Sequence, residues 1–144
     1  MSDQNKAVVE RFIDEVWNAH NLDGIDQCIA EDHVDHDPAR AGTPQGRDGM
    51  REFVAAYLTA FPDAHVTIDE LVAEGDLVTA RWHATGTHQG ELMGMPATGR
   101  SIDITGIGID RIADGKIAES WQNFDMLGML RQLGAVPEPA GASA

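Results

Sequence analysis

The stretch Lys116 to Gly134, KIAESWQNFDMLGMLRQLG, decides the reading of the whole chain. Strand side chains alternate between two faces. Read as a strand, Lys116 to Asp125 puts Glu119, Trp121, Asn123 and Asp125 on one surface and Ala118, Ser120, Gln122 and Phe124 on the other. From Asp125 to about Leu133 the apolar spacing becomes helical, and Gly134 suits the position just past a helix C-terminus. Upstream, Asp114-Gly115 between two apolar runs favours a two-residue hairpin loop. Such a loop pairs Ala113 with Lys116 and predicts Gly108 opposite Trp121 and Gly106 opposite Asn123. Glycine weakens a strand interior, so the pair implies a bulge or room for something to approach the sheet. The face bearing Trp121, Asn123 and Asp125 is therefore expected to be a pocket wall.

Working back toward the N-terminus, Ser2 or Asp3 can cap a first helix with Val8, Phe12, Ile13, Val16 and Trp17 at helical spacing. A second helix is expected from about Leu22 to Ala30. In Glu31 to Pro38 alternation predicts a short extended segment, with His33, Asp35 and Asp37 pointing one way and Val34 and His36 the other. Residues 39 to 49 read as a loop. Met50, Phe53, Val54, Tyr57, Leu58 and Phe61 give a third helix that Pro62 ends. Val66 to Glu74 and Leu77 to His88 form a hairpin about Gly75-Asp76, with Glu70 expected opposite Arg81, Leu71 opposite Ala80, Ile68 opposite His83 and Asp69 opposite Trp82. Gln89 to Arg100 is a flap, and Ser101 to Ile112 completes the sheet. Because the flap joins two strands, their register stays open, and either Arg81 and His83 or Trp82 and Ala84 face the pocket.

The predicted architecture is α+β: a cone-shaped α+β barrel, with a curved mixed or antiparallel sheet wrapped on N-terminal helices and closed by a C-terminal helix. Residues 1–134 make a single domain, and residues 135–144 are expected to be a disordered tail. Both sheet faces carry apolar residues, so a second subunit is expected on the outer one, as a homodimer.

The formal charge is −14, with ten Lys and Arg against 24 Asp and Glu, and no basic cluster. Nucleic acid and anionic membrane surfaces are poor partners for such a chain. No apolar run approaches the roughly 18 residues of a membrane span, and MSDQNKAVVE lacks a signal peptide's basic start and apolar run. The expected location is cytoplasmic. Cys28 is the sole cysteine, which excludes an internal disulfide and a thiolate metal cluster.

The remaining chemistry is narrow. His33 and His36 have opposite parity in an extended segment, so they do not make a metal pair. No Gly-x-Ser-x-Gly, phosphate loop or dinucleotide fingerprint occurs. We expect no metal and no cofactor, and acid–base work in an apolar pocket instead. Asp125 beside Trp121 can act as an acid or base whose pKa the indole raises, or simply cap the last helix.

A set of motifs then points to a family. Arg81-Trp82-x-x-x-Gly86-Thr87-His88, Gly90-Glu91-x-Met93-Gly94-x-Pro96-x-Thr98-Gly99, Asp114-Gly115-Lys116-Ile117, Trp121-x-x-Phe124-Asp125 and Leu130-Arg131-Gln132-Leu133-Gly134 resemble SnoaL-like polyketide cyclases, within the nuclear transport factor 2-like superfamily. The resemblance implies an intramolecular aldol ring closure of a polyketide ester, with an aspartate on the last strand as acid/base and histidine or amide groups steadying the oxyanion. Carried onto this chain, the aspartate role falls on Asp125, or two residues after Trp121, where Asn123 stands and no base is present. The expected catalytic set is Asp125, Asn123, His36 and His83. The expected substrate contacts are Trp17, His33, Phe53, Tyr57, Trp82, His88, Met93 and Trp121, around a small apolar carbonyl-containing ligand. A non-catalytic binder of such a ligand, or a dehydratase or isomerase, is the alternative on the same scaffold.

Overall fold

The computed structural model describes residues 2–137. Val8, Val9 and Phe12 anchor helix α1 (Ser2–Arg11), which widens into π-helical turns over Phe12–Asn18. A short 3₁₀ turn at Leu22–Gly24, capped by the Asn21 side chain, leads into α2 (Ile25–Cys28). The helix expected over Leu22 to Ala30 therefore ends early. Ile29 opens strand β1 (Ile29–Asp35) instead, because this fully buried β-branched residue pairs with Ile117 on another strand. Helix α3 (Gly46–Ala60) begins in the expected loop and stops one residue before Phe61-Pro62, where proline bars continuation.

Strands β2 (His65–Glu74), β3 (Leu77–Thr87), β4 (Ser101–Ala113) and β5 (Lys116–Phe124) follow, and α4 (Met126–Gln132) closes the chain. The sheet order is β1-β5-β4-β3-β2, antiparallel except for the parallel β1–β5 pair. It is a mixed, curved sheet in an α+β fold.

Two bulges correct the expected registers. Ala113 pairs with Lys116 and Ile112 with Ile117, as a two-residue turn requires, but Arg111 then pairs with Glu119. Ala118 is the extra residue. Beyond it, Gly108 lies opposite Gln122 and Gly106 opposite Phe124, not opposite Trp121 and Asn123. A bulge of one residue reverses every later side chain. The physical reason is burial: Ile117 is 2% exposed on the inner face, and only a change of parity lets Phe124 join the core from the same side. On β2, Glu70 pairs with Arg81 and Leu71 with Ala80, but Ile68 pairs with Trp82 and not His83, and Asp69 is the unpaired residue. The bulge keeps Val66 and Ile68 on one side of it and Leu71 and Ala73 on the other all turned inward, and sharpens the curvature of the strand.

Between β3 and β4, Trp82 pairs with Gly106 and Ala84 with Ile104. The register left open by the flap is thus the one that turns Trp82 and Ala84 inward and Arg81 and His83 outward. In the first extended segment His33, Asp35 and Asp37 are buried, while Val34 and His36 are exposed, as alternation predicts.

Buried apolar residues form two clusters. One joins α1, α2 and α3 to the β3–β5 end through Val16, Ile25, Val54, Val78 and Ile117. The other gathers Phe61, Leu92, Ile102, Ile104, Met129 and Leu133 beneath α4. Each such side chain contributes roughly 1.5–3 kcal/mol. Ala135 donates to the Leu130 carbonyl, continuing the helix end, and residues 138–144 of the expected tail lie outside the described residues. Among the described residues no helix is long and apolar enough to cross a membrane.

Candidate functional site

A cavity of about 150 Å³ opens between the two clusters, about ten times the space one water requires. Its walls are mostly apolar. Phe12, Ile13 and Trp17 come from the π-helical turns, Phe53, Tyr57 and Phe61 from α3 and its end, and Trp82 and Phe124 from the sheet. The rings contact in series, with Phe53 4.9 Å from Tyr57 and Tyr57, Trp82 and Phe124 at 6.4 Å spacings. Such a wall suits a flat, largely apolar guest.

The two strand glycines make room for this wall. A Cβ on Gly106 would meet the Trp82 ring at 2.2 Å, and one on Gly108 would meet the Gln122 carboxamide at 2.1 Å. An indole and an amide do lie over these glycines, but they belong to Trp82 and Gln122, not to Trp121 and Asn123.

The polar end is built by β1, β4 and β5. Asp110, on the inward phase of β4, accepts a hydrogen bond from Ser120 Oγ at 2.6 Å, and Ser120 Oγ lies 2.9 Å from His33 Nε2. Burial pushes the Asp110 carboxyl up to about 6, helped by the charge of Asp35 and opposed by hydrogen bonding from Ser120 and Gln122. Burial likewise brings His33 down to about 4, so its ring is neutral near pH 7. Asp35 forms a buried pair with Arg40 at 2.6 Å, and the Arg40 guanidinium sits over the Phe53 ring. Asp37 caps the 3₁₀ turn Pro38–Arg40 through Ala39 N–H; burial raises its pKa, with the Asp35 charge adding to the shift. Tyr57, whose phenol is pushed up to about 12 by burial and by Asp37, completes this end.

The structure divides the residues expected from sequence. Trp17, Phe53, Tyr57 and Trp82 line the cavity. His33 stands behind it, on Ser120. His88 is fully buried against Phe61, where its Nδ1 accepts from Thr98 N–H and anchors the flap. Met93 is 61% exposed at the flap's tip. Trp121, Asn123, His36 and His83 are on the outer face: His36 stacks on Trp121 and bonds Glu119 at 2.7 Å, and His83 bonds Asp69. Asp125 accepts from Gly128 N–H as the N-cap of α4 and is not among the lining residues. Asp110, Ser120 and Gln122 escaped sequence reasoning. The available signal was the period-two run Ile102, Ile104, Gly106, Gly108, Asp110, Ile112, which carries one acid in an otherwise inward apolar phase.

Comparison with known proteins gives a consistent picture. A family model described as SnoaL-like polyketide cyclase matches residues 7–133. The aklanonic acid methyl ester cyclase DnrD of Streptomyces peucetius is 35% identical over 139 residues, covering 93% of this chain and 94% of the relative. The nogalonic acid methyl ester cyclase of Streptomyces nogalater is 30% identical, covering 82% of this chain and 89% of the relative. Among solved structures, TsrD from Streptomyces laurentii superposes with a TM-score of 0.85 at 31% identity, covering 94% of this chain and 98% of that one.

Proposed function

We propose that this chain, which belongs to the SnoaL-like polyketide cyclase family, closes a ring in a polyketide methyl ester by an intramolecular aldol-type reaction that uses no metal or cofactor. The observation that carries the reading is Asp110: a buried carboxyl on the wall of an apolar, aromatic-lined cavity, poised near pH 6. A general base works best with a pKa near the working pH. As carboxylate, Asp110 removes a proton from the carbon beside a carbonyl. The resulting enolate attacks a second carbonyl of the same molecule, forming the carbon–carbon bond, and the new alkoxide takes the proton back from Asp110. The Gln122 amide, beside the acid on the neighbouring strand, donates to the oxygen that becomes negative. The methyl esters named for the Streptomyces relatives supply the substrate class.

A second copy is the partner we propose for the outer sheet face, where Val34, Ile107, Ile109 and Trp121 leave an exposed apolar stripe across β1, β4 and β5. Sedimentation of wild type and Ile107→Lys tests it: a dimer that the lysine splits supports the pairing, and a monomer in both removes it. A cytoplasmic setting fits a chain whose single cysteine is buried and unpaired.

The enzyme assignment is tested with a polyketide methyl ester of this class and two variants. Asp110→Asn is expected to lose turnover by about 10²–10⁴-fold, with ester affinity within a few fold, while Asp125→Asn turns over as wild type. The reverse pattern moves the acid/base to the start of α4. Ester binding with no turnover at any pH leaves a binding protein of the same fold.

A further inference from the structure

Ser120 is the middle of three adjacent strands, paired with Asp35 on β1 and with Asp110 on β4. Its hydroxyl carries one proton and contacts two groups, Asp110 Oδ1 at 2.6 Å and His33 Nε2 at 2.9 Å. We propose that His33 is a positioning residue: its ring, held in the Nε2–H form, donates to Ser120 and so fixes the Ser120 hydroxyl on Asp110 Oδ1, leaving Oδ2 as the oxygen that exchanges the substrate's proton. The inference rests on the reading of Asp110 as the acid/base.

The direction of the chain follows from what surrounds the ring. His33 is 1% exposed, and its Nδ1 is buried without a hydrogen-bond partner. In the other neutral form the proton would sit on Nδ1 as a buried donor with no acceptor, a costly arrangement. Nε2 would then have to accept from Ser120, turning its hydroxyl off Asp110 and leaving a buried carboxylate oxygen bare. Both penalties favour the same form. The doubly protonated ring is disfavoured by burial and by Arg40, against the attraction of Asp35, Glu119 and Asp32. On the other side of the chain, Asp110 feels Asp35 and the hydrogen-bonding groups of Ser120 and Gln122. With Oδ1 occupied throughout, a proton taken from carbon is held on the one oxygen not committed to Ser120, which keeps the acid aimed at the same atom in both proton transfers.

The test is solution NMR on the protein without substrate, carrying ¹⁵N-histidine and ¹³C-aspartate, with the Asp110 signal assigned by its loss in Asp110→Asn. In wild type, His33 is expected to show a protonated Nε2 and a bare Nδ1 between pH 6 and 8. Ser120→Ala is expected to raise the Asp110 midpoint by about one unit, because a hydrogen bond to the carboxylate is removed. His33→Leu should raise it less, and His33→Gln, whose amide can donate to Ser120, should bring it back toward wild type. A protonated Nδ1 in wild type, or an Asp110 midpoint unmoved by Ser120→Ala, overturns the proposal. The tautomer reading needs no variant to fold. These measurements also stand apart from turnover: full activity in Asp110→Asn would remove the catalytic reading and leave the hydrogen-bonded chain in place.

Discussion

Strands β4 and β5 and their neighbours carry the same kinds of side chain on both faces, with opposite results. Outside are Glu119, Asn123 and Trp121; inside are Asp110, Gln122 and the rings of Phe124 and Trp82. Glu119 is bonded by His36 at 2.7 Å and by Arg111 at 3.2 Å, and its pKa falls, chiefly through His36. Asp110 has lost water without gaining a cation, and its pKa rises. What replaces water decides how a carboxyl titrates. The outer aromatic stacks on an exposed imidazole, whereas the inner ones enclose a cavity.

The largest effect that tests this contrast is catalytic. If only the inner face does chemistry, adding Asn123→Asp to Asp110→Asn restores nothing, and turnover stays about 10²–10⁴-fold down; recovery of rate would place the reacting atoms on the other side of the sheet. Next comes packing. Phe124→Ala is expected to cost about 3 kcal/mol in denaturant unfolding, since it opens a gap between Tyr57 and Trp82. Trp121→Ala, at a ring 38% exposed in the single chain, should cost less than about 1 kcal/mol when measured at a concentration where the protein is monomeric, and equal losses would mean the two faces are equally packed.

The pH dependence of stability is a smaller and more diagnostic effect. The native Asp110 pKa lies near 6, above its unfolded value, so the native state holds the extra proton between about pH 4 and 6. Stability from this group is therefore present at low pH and lost as pH rises through 6. Asp110→Asn should be more stable than wild type by on the order of 3 kcal/mol at pH 7.5, with the gap closing near pH 4; a gap that grows on acidification would contradict the assignment. Last is Asp125→Ala, which removes the cap on Gly128 N–H and is expected to cost about 1 kcal/mol with turnover unchanged.

Much of the architecture was legible in the chain. Helical spacing marked α1 and α3, Asp114-Gly115 fixed the last turn, and alternation in residues 33–37 separated the buried His33, Asp35 and Asp37 from the exposed Val34 and His36. The cavity rings Trp17, Phe53, Tyr57 and Trp82 were also found, because large aromatic residues at core spacing are what an apolar pocket uses. The acid was not. Period two distinguishes the faces of a strand but does not say which is inside when both carry apolar residues, as β4 does with Ile102, Ile104 and Ile112 on one side and Ile107 and Ile109 on the other.

Residue types and their periods, which are local properties of the chain, determined the elements, their order and the family. The identity of the pocket face was decided by one extra residue, Ala118. That bulge exists because Ile117 must pack beside Ile29 while Phe124, seven residues on, must pack beside Tyr57 and Trp82 from the same side of the sheet. No local preference encodes that demand. It arises only when β1, α3 and β5 meet, and it is what turns Ser120 and Gln122 to the cavity beside Asp110, whose inward facing follows from the alternation of β4, and leaves Trp121 and Asn123 outside.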